Sequence, residues 1–341
     1  MNLKQLSQHL NLSQTTVSRA LNGYPEVSEA TRLRVQKAAQ DLNYRPNTRA
    51  KGLATGRSHA IGHVIPVSNQ HEMVNPVFGD FIAGAGEVYT REGYDMVLSL
   101  VADRDETRAY QDIKSRGMVD GIIVHGPVTK DTRIALLSHI GLPFVVHGRS
   151  TDVNLPYSWV DVNNRGAFQR GTQFLIELGH RRIALLNGLE HMDFAFRRRS
   201  GYENALAAHG LPVDPDLMRS EEMTEIYGYR ATKAMLAQEA APTAIMCSSI
   251  ITAIGARRAV HEAGLALARD VSIITFDDEL SYLENGDDVA IFTALRSSVR
   301  SAGRQAADML LSLISLPQSA PKTRLLEAEL IIGRSTGPAP A

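Results

Sequence analysis

Apolar positions in the first 45 residues recur at helical spacing; beyond residue 60 they become short continuous runs alternating with longer amphipathic stretches. Leu3, Leu6 and Leu10 form one stripe of a first helix. Across residues 13–22, Val17, Ala20 and Leu21 share one side of a second helix. Gln14, Thr15, Ser18, Arg19 and Asn22 take the other, and Ser13 can cap the first turn. Asn22-Gly23-Tyr24-Pro25 is turn chemistry. Ser28 then caps a third helix whose apolar positions are Leu33, Val35, Ala38, Ala39 and Leu42. Two short helices joined by a turn, then a third, match the helix-turn-helix plan, although any small helical bundle shows the same periodicity.

Tyr44-Arg45-Pro46 ends the third helix, because the residue before proline is pushed out of the α region. Residues 47–57 offer one or two helical turns with Asn47 as cap, too short to be stable alone. Leu53 stands there on a polar, basic strip, either as a linker residue or as an apolar wedge for a DNA minor groove. From Ala60 on, near-continuous apolar runs such as 61–67, 119–125, 182–186, 243–248 and 271–276 alternate with helical patterns. That texture means parallel sheets covered on both faces, and about 280 residues of it means two similar lobes. The expected fold is a small all-α head on an α/β body of two parallel-sheet, Rossmann-like subdomains. Residues 292–298, 299–313 and 322–332 are expected to cross between the lobes, and residues 337–341 to form a loose tail. Pro317 and Pro321 interrupt any leucine heptad after Leu316, so a dimer rather than a coiled-coil tetramer is expected.

Composition changes the picture in one respect. Formal net charge is −1, which alone argues against a polyanion partner. Residues 1–57, however, hold nine Lys/Arg against three Asp/Glu, and the remainder 27 against 34. A basic head on an acidic body fits contact with nucleic acid at one end. The outward face of the second helix carries amide, hydroxyl and guanidinium groups, which match base edges and phosphates. The single cysteine, Cys247, sits in an apolar run and reads as a buried small hydrophobe. No leader-like or membrane-length apolar stretch is evident, so a cytoplasmic protein is expected. Catalytic and cofactor motifs are missing. Gly84-x-Gly86 falls inside a helical pattern, His180 and His191 lack metal-ligand spacing, and Asp277-Asp278, adjacent on a strand, point to opposite faces. Neither an enzyme, a cofactor nor a metal is expected.

The stretch VSRALNGYPEVSEATRLRVQKAAQDLNYRPNTRAKGLATGRSHAIGHVIP resembles the lactose-repressor (LacI/GalR) family of bacterial transcription regulators. The likeness continues through NPVF, DGIIVHG, LIELGHRRIALLNG, RRRSGY and IITFDDE. Within the family, the head and AIGHVIPVSNQHEMVNPVF are most similar to repressors of α-glucoside utilisation. The resemblance implies a helix-turn-helix domain over 1–45, a hinge helix over 46–58 and an effector-binding and dimerisation domain over 59–341. The last resembles periplasmic sugar-binding proteins, with an N-subdomain of 59–159 and 291–321 and a C-subdomain of 160–290 and 322–335. It also implies a homodimer on a palindromic DNA operator, responding to a small sugar, an α-glucoside or glucose. Ser13, Gln14, Thr15, Ser18, Arg19 and Asn22 would then face the operator, with Gln14, Thr15 and Arg19 reading bases. Ser18, Asn22, Ser28, Thr31 and Asn47 would position phosphates, Leu53 would pry open a base step, and Lys51 would lie at the minor groove.

For the effector, Arg198 occupies the R-x-x-G-Y position and Asp277 an acceptor position at a strand end. Trp159, the only tryptophan, either stacks under a pyranose or belongs to a lobe-crossing core. Ser68, Asn75, Phe78 and His147 are further candidates, His147 equally readable as a loop histidine. Two departures weaken the far side of the cleft: Ser249-Ile250 replaces the family's Asn-Asp, and Ser297 stands where some members carry Gln. The remaining alternatives are a solute-binding receptor built on the same body and a regulator sensing a non-sugar effector.

Overall fold

The computed structural model describes residues 1–44, 56–66, 75–102, 105–276 and 279–340. Its contacts divide the chain into two units, Met1–His59 with Gly117–Val119, and Ala60–Arg116 with Asp120–Ala341. The first unit holds three helices: α1 (Leu3–Leu10), α2 (Gln14–Leu21) and α3 (Glu29–Asp41). Asn2 and Gln5 form a reciprocal capping box on α1, and Ser13 and Ser28 accept from the Thr16 and Thr31 amides on α2 and α3. Leu6, Leu10, Val17, Ala20, Val27, Val35, Ala39 and Tyr44 form the core beneath them. Leu33 is the exception to the pattern. It is 59% exposed, because two residues along a helix is about 200° of rotation and the buried stripe is set by Val35 and Ala39.

The second unit contains two six-stranded sheets. The first comprises β1 (Ala60–Pro66), β2 (Asp95–Val101), β3 (Gly121–Val124), β4 (Phe144–His147), β5 (Trp159–Val162) and a late strand, Thr323–Leu326. The second comprises β6 (Ile183–Asn187), β7 (Met218–Ser220), β8 (Ala244–Cys247), β9 (Ser272–Phe276), β10 (Thr293–Arg296) and β12 (Glu329–Ile331), Thr323–Leu326 being β11. The orders are β11-β5-β4-β3-β1-β2 and β12-β10-β9-β8-β6-β7. All pairings are parallel except β10 with β12. The helices of lobe 1 are α4 (Pro76–Glu92), α5 (Glu106–Ser115), α6 (Thr132–Ile140) and α11 (Val299–Ser315). Those of lobe 2 are α7 (Asn164–Glu177), α8 (Asp193–Ala208), α9 (Glu225–Leu236) and α10 (Ile250–Glu262).

Sheet membership corrects the expected subdomain boundaries. Trp159–Val162 pairs within the first sheet, beyond the 159/160 boundary. Thr293–Arg296 pairs with β9 in the second, and Thr323–Leu326 with β5 in the first. Each strand completes its hydrogen bonding in one sheet before the chain crosses, so the crossings fall after β5, after β10 and after β11. Two of them are tied together: the Asn163 amide donates to the Leu326 carbonyl at 2.8 Å, and its side chain to Glu327.

Helix pairs close backbone to backbone on glycine. A Cβ on Gly84 would lie 2.0 Å from the Arg300 carbonyl oxygen, and one on Gly201 2.1 Å from that of Arg165. Gly84 is thus a helix-packing residue.

The C-terminal tail is docked, not loose. Ser335 is fully buried, accepting from the Thr293 amide, with its main-chain carbonyl taking the Ile273 amide. The Gly337 amide donates to Ser272 Oγ, the Gly337 carbonyl faces His180 Nε2 at 3.1 Å, and the Ala339 amide donates to Leu178. Ending the chain at Arg334 is expected to lower the melting temperature of the body by about 10 °C, from these five lost hydrogen bonds at about 1 kcal/mol each. Unchanged thermal unfolding would show that the tail contributes nothing.

Candidate DNA-reading face and effector cavity

Helix α2 presents Gln14, Thr15 and Arg19 to solvent, with Asn22 just beyond its end, while Val17 and Ala20 anchor it from below. Ser18 and Thr31 are half-buried and Ser13 and Ser28 exposed. The hydroxyls of Ser13 and Thr16 lie 2.8 Å apart, those of Ser28 and Thr31 2.9 Å, and Asn22 Nδ2 donates to the Ser18 carbonyl. The hydroxyls that cap α2 and α3 thus stand at helix N-termini, which favour phosphate. Two head arginines serve the fold instead. Arg32 donates to the Tyr24 and Val27 carbonyls, and Arg34 to that of Leu10, tying α3 to the preceding turns.

In the body, a cavity of about 420 Å3 opens at the carboxyl ends of the second sheet's strands. Lobe 1 contributes Asn75 and Pro76. Lobe 2 contributes Gly188, Leu189, Met192 and Phe194 after β6, residues 221–225 after β7, Ile251 and Ile254 on α10, and Tyr282 and Leu283 after β9. The wall is mostly apolar with an acidic rim of Glu221, Glu222 and Glu225, a lining suited to a sugar's alternating faces.

Arg198 lies under this wall, 5% exposed. Its Nε donates to Asn164 Oδ1 at 2.8 Å and its Nη1 to the Ser248 carbonyl at 2.6 Å. The guanidinium carbon sits 3.9 Å from the Phe276 ring centroid and 4.8 Å from that of Phe194. Asn164 in turn donates to Asp161, which pairs with Arg149 at 2.7 Å. Burial raises the Asp161 carboxyl above its usual range even with Arg149 beside it. The chain of contacts runs from the cavity floor to the β5 crossing between the lobes.

Lobe 1 holds a second polar cluster. His63 Nδ1 lies 2.8 Å from His125 Nε2, and His63 Nε2 3.1 Å from the Tyr89 hydroxyl. His147 stacks on Phe81 with centroids 4.1 Å apart, and Phe78 meets His125 edge-on. Burial depresses all three histidines, His63 to about 3, His147 to about 4, and His125 well below its ordinary value. Among the described residues, no group of three or more His, Cys, Asp or Glu is arranged to hold a metal ion, and no helix is long and apolar enough to cross a membrane.

Residues 4–47 match the profile of bacterial regulatory proteins of the lacI family. Residues 58–334 match that of periplasmic binding proteins and the sugar binding domain of the LacI family. The chain belongs to the LacI family of transcription regulators. It is 44% identical over 340 residues to the HTH-type transcriptional regulator AglR of Rhizobium meliloti (strain 1021), covering 100% of this chain and 95% of AglR. Among solved structures, it is similar to a lac repressor dimer bound to operator and the anti-inducer ONPF. That likeness has a TM-score of 0.85 at 25% identity over 98% of this chain and 99% of the other. A transcriptional regulator CelR–cellobiose complex matches with a TM-score of 0.73 at 27% identity over 98% and 99%. This LacI-family chain is a DNA-binding transcription regulator with a sugar-binding body, and the family is not enzymatic.

Of the sugar-contact candidates in this LacI-family body, the cavity includes Asn75, whose side chain also caps α4 by accepting from the Val77 amide. Phe78 packs in the lobe 1 core, and Ser249 is buried as the cap of α10. His147 stacks on Phe81. Trp159 carries Arg149 at 4.9 Å from its ring and lies outside the cavity wall. Arg198 supports the wall through Phe194 and Met223. Asn47, Lys51, Leu53, Ser68 and Asp277 lie outside the described residues. The missed contributors include the 221–225 loop and Tyr282-Leu283. Both follow strand ends of the second sheet, a signal available once β7 is recognised.

Proposed function

We propose that this regulator represses a carbohydrate-utilisation operon in the cytoplasm, binding a palindromic operator as a homodimer and responding to an α-glucoside in its cleft. The exposed face of α2, with Gln14, Thr15 and Arg19 over a Val17–Ala20 core, is the observation that carries the DNA half. Ser18, Asn22, Ser28 and Thr31 position the backbone beside it. The mostly apolar, acid-rimmed cavity supports the sugar half, and likeness to AglR with the α-glucoside-type wording of residues 60–78 supports the choice of sugar. The apolar edge strand β2, with Leu98 and Leu100 exposed, supports pairing of two copies.

A gel shift of a labelled palindromic operator, with maltose, trehalose, sucrose and glucose added in turn, tests both halves. Gln14→Ala and Arg19→Ala are each expected to weaken operator binding by about 1–3 kcal/mol and to relax preference at one base position. Equal loss on operator and random DNA would reject a base-reading role. Operator binding untouched by any of the four sugars would reject the effector half.

A further inference from the structure

Outside the three chain crossings, two buried carboxylates, one in each lobe, accept from the backbone of the other lobe. Asp193, on α8 of lobe 2, is fully buried, and its Oδ2 accepts the amide of Thr151 in lobe 1. Its other oxygen accepts from Arg197, which also donates to Thr151 Oγ1 at 3.1 Å. Main chain reinforces the contact: the Asp193 amide donates to the Pro127 carbonyl at 2.9 Å, and the Thr129 amide to that of His191. At a second contact the roles reverse. Asp80, on α4 of lobe 1 and 6% exposed, accepts the amide of Ser281 in lobe 2 at 2.7 Å. Arg300 of lobe 1 donates to the Ser281 hydroxyl.

We infer that Asp80 and Asp193 form a reciprocal pair of interlobe clasps beside the cavity that set how readily the lobes part. A buried carboxylate on a backbone N–H forms a charge-assisted bond, roughly twice the strength of a neutral one. The lobe 1 side of the Asp193 clasp is preformed. Asp131 accepts from the Val128 amide and binds Arg133, and Ser150 Oγ donates to the Val128 carbonyl. The clasps also touch the cavity wall directly: Met192 and Phe194 flank Asp193 in sequence, and Tyr282 follows Ser281. Any ligand that displaces those wall residues pulls on the clasps. Lobe rotation would break both contacts at once, while the crossings only bend.

Hydrogen exchange on the full-length, ligand-free protein tests this. Asp193→Ala is expected to speed exchange of peptides covering Thr129 and Thr151 by about tenfold or more, although these lie in the other lobe. Asp80→Ala is expected to do the same for peptides covering Ser281. Asp80→Asn keeps the oxygen that accepts from Ser281 and should restore most of the protection there; Asp193→Asn keeps an acceptor for Thr151 but turns its amide nitrogen to Arg197, and should restore only part. Wild-type exchange in the alanine variants overturns the inference. So does acceleration that spreads to strands β3 and β6, the mark of general destabilisation. The regulatory consequence rests on the sugar reading above: where maltose acts on the wild type, its half-effect concentration should shift about fivefold or more in both alanine variants. An unshifted dose overturns the clasp as a regulator. A wild type deaf to all four sugars counts against the sugar reading, and the exchange result then decides the clasps by itself.

Discussion

Arg198→Ala is expected to abolish the sugar response while leaving operator binding without sugar within about threefold of wild type, the ordinary range for a distant, independent site. The guanidinium lies beneath the cavity wall, against Phe194 and Met223. It is fixed by Asn164 and the Ser248 carbonyl and faced by the Phe276, Phe194 and Phe168 rings. Truncation removes the donor from two buried acceptors and the support from Phe194 and Met223, both of which line the cavity. Losing two hydrogen bonds of a charged group, at about 1.5–3 kcal/mol each, destabilises the packing under Phe194 and Met223, and the sugar response is lost with the shape of the wall. Arg198→Lys keeps the charge but has no planar fork to hold Asn164 and Ser248 together, so it should recover only part of the response. A gel shift titrated with sugar reads both variants, and a melting curve of the body confirms that each is folded. A normal dose response in Arg198→Ala would remove this residue from the site.

The head was legible because its information is local. Ser13 and Ser28 cap the helices that their positions announce, and Val17 and Ala20 lie on the buried face that 3.6-residue periodicity assigns. Leu33 misled because hydrophobicity alone does not say which of two opposed helix faces meets a partner. In the body, strand-and-helix alternation announced two parallel sheets, but sheet membership at the crossings was hidden. A four-residue strand such as Thr323–Leu326 has no sequence mark telling which sheet's edge it will join. Arg198-x-x-Gly201-Tyr202 drew attention to a binding residue, yet most of it is structural: Gly201 admits the Arg165 carbonyl, and Tyr202 donates to the Ile183 carbonyl. The cavity wall escaped notice for a different reason. Residues 221–225, Ile251, Ile254 and Tyr282 are brought together only by the order of strands β7, β6, β8 and β9, a long-range fact. The tail escaped because Gly-Pro-Ala composition reads as flexible, whereas Gly337 and Ala339 dock through main-chain hydrogen bonds that any residue can make.

Acidification from pH 7 to pH 5 is expected to destabilise the effector-binding body by at least about 2 kcal/mol, most of it from lobe 1. His63, on β1, is fully buried, with His125 and Tyr89 on its two ring nitrogens. Folding lowers its pKa from the ordinary 6.5 to about 3, so the unfolded chain takes up the proton first. Its contribution is therefore complete above about pH 6.5, falls as pH drops through that value, and is exhausted only near pH 3. Each pH unit in that window costs about 1.4 kcal/mol per histidine, or about 2 kcal/mol at pH 5 from His63 alone. His147 and His125 are shifted in the same direction by burial and steepen the loss. Against a total stability of about 5–15 kcal/mol, the effect should be plain in urea unfolding at pH 7, 6 and 5. His63→Gln removes the titrating group and keeps a donor and an acceptor for His125 and Tyr89. It should shrink the difference between pH 7 and pH 5 by up to about 2 kcal/mol, even if it lowers stability at both. A body whose urea midpoint is the same at pH 7 and pH 5 would mean that the histidines do not stay neutral in the fold.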